Sequence, residues 1–293
     1  MLDPLVAADV SGGGVSDGLP ECLTDYLRED GVRYLKVKIG GDPAQDLARL
    51  IRVAETVEAA RGKDYAITLD GNEQYRDAGL LMQLLERVQK EPRLRTFLAN
   101  TIFIEQPIPR DAAFDAALAA DIERLSAIKP LVLDEADGHL EAFKEGACIG
   151  WRGVSAKNCK GVIQSLLNRS LVQVLSTRER PLLLSAEDLT VVPVIGLQQD
   201  LTTVATLGLS HVEKNGHHYV RGCAHCTPQE RQGVKAYHTS LYQQIGNELF
   251  LHIQQGQVDL TSLQCPGFGV GFEVDTSAFP RWSAWVRRTP ASA

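Results

Sequence analysis

Residues 66–75 read Ala-Ile-Thr-Leu-Asp-Gly-Asn-Glu-Gln-Tyr, an apolar run that ends abruptly on an acid. A short apolar run closed by turn residues predicts a strand buried on both faces, as in a parallel sheet. The carboxylate of Asp70 falls where that strand ends. The pattern recurs at Glu105 and at Asp134, each of which directly follows another short apolar run. These strand ends predict one site that collects acids from several strands.

The composition is that of a globular protein. The chain has 293 residues, of which 44% are hydrophobic and 23% charged, so it can bury a large core. The formal net charge is −7 and no long Lys/Arg cluster occurs, so we expect no nucleic-acid partner and no membrane partner. Because no apolar run is long enough for a membrane span and no secretory signal pattern is visible, we expect a cytoplasmic protein.

The strand predicted at 34–39 alternates with a period of two residues. Its apolar side chains share one face, and Lys36 and Lys38 share the other. An edge strand with one solvated face is one interpretation. Helical patterns on both sides favour another, in which the lysine face points into a barrel. An unpaired buried ammonium is costly, so lysines there need partners. We therefore predict that both lysines belong to the site.

Polar residues close the predicted strands at an even spacing along the chain. These strand ends are Lys38, Asp70, Glu105, Asp134, Lys157, Ser185 and Glu213. Segments with helical apolar spacing lie between them. One polar residue per strand–helix unit predicts a (β/α) TIM-type barrel, whose functional groups gather at the C-terminal ends of the strands. A doubly wound open sheet is the alternative, and it would gather the site at one switch point.

The predicted organisation has two parts. The barrel is expected to occupy residues 1–222 and to begin with a strand at 5–10. Residues 223–293 are expected to form an irregular C-terminal extension that packs on the barrel or on a neighbouring subunit. Within this extension, a hairpin is expected from 248–254 and 257–260, because Gly256 lies between them.

Several short motifs occur together in one order. They are Lys36-x-Lys38, Asp70-x-Asn72, Glu105-Gln106-Pro107, Asp134-Glu135 and Lys157-Asn158-Cys159-Lys160-Gly161. This set resembles the enolase superfamily, most of all its mandelate racemase and muconate lactonizing enzyme branches. The resemblance covers roughly residues 35–213. It implies an enolase C-terminal-domain-like barrel, here without the N-terminal capping domain that members usually carry.

The resemblance also implies the site. Asp70, Glu105 and Asp134 would be the ligands of Mg²⁺, and Lys38 and Lys157 would be the acid/base groups on opposite faces of the substrate. Without the resemblance, three acids could simply cap the helices that follow the strands. Independent helix caps would not explain the lysines at the neighbouring strand ends. Converging carboxylates repel one another, and a hard divalent cation with oxygen ligands removes that repulsion.

The remaining candidate residues surround this centre. The resemblance implies that Lys36 lies near the substrate carboxylate, and we group it with the catalytic residues. Glu213 matches an acid that several members carry at the end of the eighth strand, and we also count it as catalytic. Asn72, Lys36 and His217 are predicted to bind the substrate.

The chemistry implied by the resemblance is abstraction of a proton α to a carboxylate. Two lysines on opposite faces permit racemisation or epimerisation of a small carboxylic acid. The same pair could serve a dehydratase or a cycloisomerase, with one lysine as base and the other as electrostatic support. A non-catalytic barrel relative is the alternative from another class. We expect a homo-oligomer.

Overall fold

The computed structural model describes residues 4–15, 17–187, 192–214, 219–279, 281 and 283. Parallel strands alternate with helices through most of this part of the chain. The strands are β1 (Tyr34–Lys38), β2 (Ala66–Asp70), β3 (Thr101–Glu105), β4 (Leu131–Leu133), β5 (Gly153–Ala156) and β6 (Leu183–Ala186). They form one six-stranded sheet in sequence order, and every neighbouring pair is parallel. This confirms the predicted α/β class and the parallel sheet.

Helices lie before, between and after the strands of the sheet, and those between the strands cover its outer face. They are α1 (Leu23–Asp25), α2 (Pro43–Arg61), α3 (Ala78–Lys90), α4 (Arg95–Asn100), α5 (Ala119–Ile128), α6 (Ala142–Ile149), α7 (Val162–Leu175), α8 (Ile195–Thr206) and α9 (Pro228–Tyr237). Local sequence explains how they begin: before α2, the Asp42 side chain accepts hydrogen bonds from the Ala44 and Gln45 N–H groups, and Pro43 opens the helix. Across the described residues, we find no helix that combines the length and the apolar character needed to cross a bilayer.

The sheet is strongly curled. β1 and β6 are its outer strands, and five strand spacings in a flat sheet would separate them by about 24 Å. Yet Lys36 on β1 contacts Glu187, which directly follows β6. The Lys36 Nζ also lies 3.0 Å from Glu213 Oε2, and Glu213 forms a parallel bridge with Glu187. No lysine side chain spans 24 Å, so the sheet must curl into a half-barrel that brings the end of β6 within reach of the Lys36 side chain.

The core lies between the sheet and its outer helices. In α3, for example, Leu81, Leu84, Leu85 and Val88 are all buried, which is the spacing of one helical face. They join a large apolar cluster that extends from Leu5 to Leu207 in the sequence. At the C-terminal edge of the sheet, the concave face carries polar side chains, among them Lys36, Asp70 and Glu105.

The C-terminal extension has its own apolar cluster and packs against α8. Leu197 and Leu201 of α8 share this cluster with Cys223, Val234 and Leu263. An antiparallel hairpin of β7 (Tyr242–Ile245) and β8 (Glu248–Leu251) lies within the extension. The Gly256 N–H donates a 2.7 Å hydrogen bond to the Asp30 carbonyl, so the extension also reaches the segment before β1.

Two local predictions are wrong. Residues 5–10 do not form a strand: Ala7–Asp9 is a 3-10 helix. The Asp9 carboxylate accepts hydrogen bonds from the Leu5 and Val6 N–H groups, and such local bonds compete with strand pairing. The hairpin turns at Gly246 instead of Gly256, and only an isolated bridge between Gln254 and Gln257 forms at the predicted place.

The partly buried carboxyl group of Asp30 predicts how the free energy of unfolding depends on pH. Burial, with Glu29 adding to it, raises the pKa of Asp30 from 3.8 to about 6. The folded state therefore favours the protonated acid. The stability that results is fully present below about pH 4 and is lost as the pH rises through about 6. We expect Asp30→Asn, which cannot ionise, to be about 1 kcal/mol more stable than the parent at pH 8, after allowance for partial exposure, and equally stable near pH 4.

Urea unfolding at both pH values measures this difference. Asp111→Asn, at an exposed acid, is the matched control and should change nothing. A gain of the same size at both pH values would show that the carboxylate charge is not the cause.

Candidate active site

The register of the sheet aligns the first three site residues. Lys38 pairs with Asp70, and Asp70 pairs with Glu105, so the three lie side by side at the C-terminal edge of neighbouring strands. Lys38 Nζ is 2.5 Å from Asp70 Oδ2. Lys36 lies two residues earlier on β1 and therefore shares the concave face with Lys38. The strand ends are thus brought together as the sequence predicts.

Lys36 lies at the centre of a buried group of acids. Its Nζ is 2.8 Å from Asp70 Oδ2 and 3.0 Å from Glu105 Oε2, and it also contacts Glu187 and Glu213. Only 9% of the Lys36 side chain is exposed. Burial opposes its charge, but the carboxylates of Glu105, Asp70 and Glu213 outweigh burial and raise its pKa above the usual value. Lys36 is therefore a firmly protonated ammonium.

Three of these acids approach closely enough to share a cation. Asp70, Glu105 and Glu187, hereafter the acid triad, each offer one oxygen within 4.8 Å of the others, and all three are buried. Burial, together with the charges of Asp134 and Asp70, raises the pKa of Glu105 to about 8 even though Lys36 opposes the shift. Within the described part of the chain, Glu105 Oε1 is buried and has no hydrogen-bond partner.

Asp134 lies beside the triad and is held by lysines. Lys157 Nζ is 2.6 Å from its Oδ2 and Lys160 Nζ is 2.9 Å from its Oδ1. Burial would raise the pKa of Asp134, but the charges of Lys160 and Lys157 lower it below the usual value. Lys157 also contacts Glu187 and so joins Asp134 to the triad.

Strained backbone surrounds the ends of β2 and β3. Asn72, Glu73 and Gln106 have positive φ angles of 38°, 65° and 27°. Such conformations cost about 1–3 kcal/mol each, and they occur preferentially at functional sites. Hydrogen bonds hold them here: the Asn72 N–H donates to Asp70 Oδ1 at 2.8 Å, and the Glu73 N–H donates to the Gln106 carbonyl at 2.8 Å.

The Gln106 side chain holds the backbone of the loop that carries Asp134. It is fully buried. Its Oε1 accepts hydrogen bonds from the Asp134 N–H at 2.8 Å and the Ala136 N–H at 3.2 Å, and its Nε2 donates to the Ile108 carbonyl at 2.7 Å. One side chain therefore satisfies three buried backbone groups on two loops. It had no predicted role, because two of its three partners, Asp134 and Ala136, lie in a loop distant in sequence.

Replacing Gln106 by leucine tests that role. We expect Gln106→Leu to lower the free energy of unfolding by about 3 kcal/mol, because it leaves buried backbone groups without partners. Urea unfolding measures the loss. Gln164→Leu is the control, since Gln164 is also buried but donates to the carbonyls of Asp137 and His139 and does not hold the Asp134 backbone. Equal losses in both variants would contradict a special role for Gln106.

The other predicted residues are placed as follows. Asn72 Nδ2 donates to Glu135 Oε1 at 3.0 Å, next to the acid group. Glu213 is the outermost carboxylate on Lys36, with 22% of its side chain exposed. His217 lies outside the described residues. The predicted roles of these residues, and the predicted ligand set with Asp134, stay predictions.

Glu187 is the acid for which no metal role was predicted. It directly follows the apolar strand β6, just as Asp134 follows β4. The same rule of an acid after an apolar strand could therefore have singled it out. The contacts of Glu187 with Lys36 and Lys157 depend on the curl of the sheet, which local sequence does not reveal.

A cavity of about 1270 Å³ opens onto this site. Asn72, Glu135, Lys157, Glu187 and Glu213 line its polar end. The cavity continues along β1 towards the N-terminal ends of the strands and is bordered there by the C-terminal extension. The site is therefore reached from a space large enough for a small molecule.

Comparison with known proteins adds a sequence relative and a shared fold. The chain is 35% identical over 133 residues to the L-Lys-D/L-Arg epimerase of Methylococcus capsulatus, and the match spans 45% of this chain and 33% of that protein. The muconate lactonizing enzyme of Mucobacterium smegmatis has the same fold, with a TM-score of 0.54 and 18% identity over 86% of this chain and 59% of that one. The match thus covers less than two thirds of the length of either protein. No protein-family model matches it.

The parallel half-barrel and its acids and lysines at the C-terminal strand ends define a class, that of (β/α) proteins with a site on this face. Within that class, the shared fold and the partial sequence match confirm the resemblance to the enolase superfamily that the motifs predicted.

Proposed function

We propose that the protein is an enzyme that abstracts the proton α to a carboxylate, with Mg²⁺ as cofactor, and that racemisation or epimerisation results. The observation that carries this proposal is the placement of two lysines about the acid triad. Lys38 reaches Asp70 from β1, and Lys157 reaches Glu187 and Asp134 from the end of β5. The triad therefore lies between two amines that come from well-separated strands of the curled sheet.

The donor set supports a hard divalent cation. The acid triad offers only carboxylate oxygens, and Glu105 Oε1 is left without a protein partner among the described residues. Mg²⁺ prefers such oxygens and is usually bound by few carboxylates together with water and substrate. When bound there, the cation would acidify the α-proton of a coordinated carboxylate by withdrawing electron density. Asp70 and Glu105 would hold it, with Glu187 or Asp134 as the third ligand.

The chain's own residues supply the proton transfers. One of Lys38 and Lys157 takes the α-proton, and the other returns a proton to the opposite face of the same carbon. Lys36 and Lys160 keep their positive charges close to the carboxylates and would stabilise negative charge that develops on the substrate. An epimerase outcome uses both lysines as acid and base, whereas elimination of water needs only one.

The relative supports the same outcome. The name of the M. capsulatus protein describes an epimerase that acts on L-Lys-D/L-Arg. We propose a small-molecule carboxylate of this general kind, an amino-acid derivative or a dipeptide, as the substrate class. The cavity beside Asn72 and Glu135 has room for such a molecule, and the Glu135 carboxylate could meet a cationic group on it.

Deuterium exchange tests the proposal. The protein is incubated with Mg²⁺ in D₂O and with a library of hydroxy acids, amino-acid derivatives and dipeptides that includes both Lys-Arg epimers. We expect α-deuterium to enter at least one compound, together with formation of its epimer, both followed by NMR. Loss of water without exchange would indicate a dehydratase. If no compound exchanges, the enzyme proposal fails.

Three broader features belong to the same proposal. The six strands would form part of a (β/α) barrel, which is supported by the parallel bridge between Glu187 and Glu213 at the next position around the curl. A homo-oligomer is supported by exposed apolar side chains on α7, where Ile163 is 68% and Val174 is 78% exposed. The absence of nucleic-acid and membrane partners is supported by the acidic net charge of −7, and a cytoplasmic location is proposed with it.

A further inference from the structure

Lys36 occupies the position that a bound cation would need. Its Nζ contacts all members of the acid triad, and these are the carboxylates whose oxygens lie within 4.8 Å of one another. Three oxygens at such spacing surround one cation-sized space. The Lys36 ammonium is a compact cation that lies next to these same oxygens.

Two cations cannot share that space at low cost. Unit charges about 4 Å apart repel strongly in a partly buried site, and a divalent ion doubles the effect. The triad is also already compensated, because Lys38 shares Asp70 Oδ2 with Lys36 and Lys157 pairs with Glu187 Oε2. A divalent cation can therefore bind at the triad only by displacing the Lys36 ammonium from the carboxylates that it contacts there.

The structure also shows where Lys36 can go. Glu213 Oε2 is 3.0 Å from Lys36 Nζ, and Glu213 is the most exposed of its four carboxylate partners. The lysine side chain has four rotatable carbon bonds, so a change of rotamer moves the ammonium towards Glu213 without moving β1. At that position it borders the cavity, which both Lys36 and Glu213 line.

We propose that Lys36 is a resident counter-cation of the acid triad, that a divalent cation must displace it, and that Glu213 receives the displaced ammonium. The displaced Lys36 then faces the cavity and pairs with the carboxylate of the substrate, so the cation binds before the substrate. The inference rests on the proposed function in taking the triad as the cation site. Beyond the proposed function, Lys36 becomes the residue that determines the cation affinity and the order in which cation and substrate bind.

Calorimetric titration with Mg²⁺ and with Mn²⁺ tests the displacement. Lys36→Met, which keeps the length and loses the charge, should bind at least about tenfold more tightly than the parent. Lys36→Arg keeps the charge and should bind as weakly as the parent. If the parent binds the cation and Lys36→Met binds it no more tightly, the inference is wrong while the proposed function stands. If the parent and both variants bind neither ion, the cation site itself is wrong and both fail.

A second measurement uses the parent protein and does not depend on how well Lys36→Met folds. Differential labelling with an amine-reactive reagent, read by mass spectrometry, reports the exposure of each lysine. Lys36 is 9% exposed and should label several-fold faster once Mg²⁺ is present, whereas Lys144, which is 59% exposed, should label at an unchanged rate. Slower or unchanged labelling of Lys36 at saturating cation would overturn the displacement.

Glu213→Gln tests the proposed destination. Without this carboxylate the displaced ammonium loses its partner, so cation binding should weaken in the parent background. In the Lys36→Met background there is no ammonium to receive, and the same substitution should have a clearly smaller effect. This double-mutant cycle separates the role of Glu213 towards Lys36 from its direct charge on the cation. Equal effects in both backgrounds would remove Glu213 from the proposal.

Discussion

Lys157→Ala and Lys38→Ala will each remove α-deuterium exchange from one stereochemical face of the substrate and leave exchange at the other face. The physical reason is that each amine serves one face of the reacting carbon, because the two approach the acid triad from different strands. Loss of a positioned acid or base lowers the rate by about 10²–10⁴-fold. Epimerisation needs both faces, so both variants should lose it, whereas each keeps exchange with one epimer.

The measurement is NMR of each separate epimer in D₂O with Mg²⁺. Lys129→Ala is the matched control: Lys129 is also partly buried, but its Nζ donates to the Thr101 carbonyl at 2.6 Å, at the opposite end of β3. It should exchange both epimers like the parent. If Lys38→Ala and Lys157→Ala both exchange both epimers at the parent rate, the two-lysine mechanism is wrong.

Asp70→Asn will abolish specific Mg²⁺ binding. Asp70 is fully buried at the end of β2, and its carboxylate faces Lys36 and Lys38 as well as the rest of the triad. Its replacement by a neutral amide removes one of the three carboxyl groups from a site with little water to compensate. We expect the affinity to fall at least about 100-fold.

Calorimetry on folded protein measures that loss. Asp137→Asn is the control, because Asp137 is a buried acid beside Lys160 that lies outside the triad. Parent-like Mg²⁺ binding by Asp70→Asn would refute the cation site. Glu187→Gln and Asp134→Asn, compared in the same titration, identify the third ligand. The oxygen positions favour Glu187, whereas the family resemblance implies Asp134.

The edge of the sheet that carries the site follows from sequence periodicity. Short apolar runs such as 66–69 and 101–104, closed by turn residues, indicate strands buried on both faces, and helical spacing between them indicates parallel connections. Parallel strands bring their C-terminal ends to one edge. Asp70, Glu105 and Lys157 were therefore predicted at a common site, and they lie there.

Local hydrogen bonding explains the predictions that failed. Residues 5–10 are apolar enough for a strand, but the Asp9 carboxylate captures the N–H groups of Leu5 and Val6 and closes a tight turn. Gly246 and Gly256 both have positive φ and suit a turn equally well. Which of the two closes the hairpin depends on the β7 partner of β8: Leu249 pairs with Gln244 and joins the extension's own apolar cluster.

The α/β class, the parallel strands and the set of acids and lysines at their ends could be predicted from residue spacing, because each depends on a stretch of about 35 residues or less. Which charged groups come into contact depends on the folded sheet. Lys36 lies on β1, and Glu187 and Glu213 lie beyond β6, yet the curl of the sheet places them in contact. That curl is the sum of small twists over six strands, so no single segment encodes the contact between Lys36 and the acid triad.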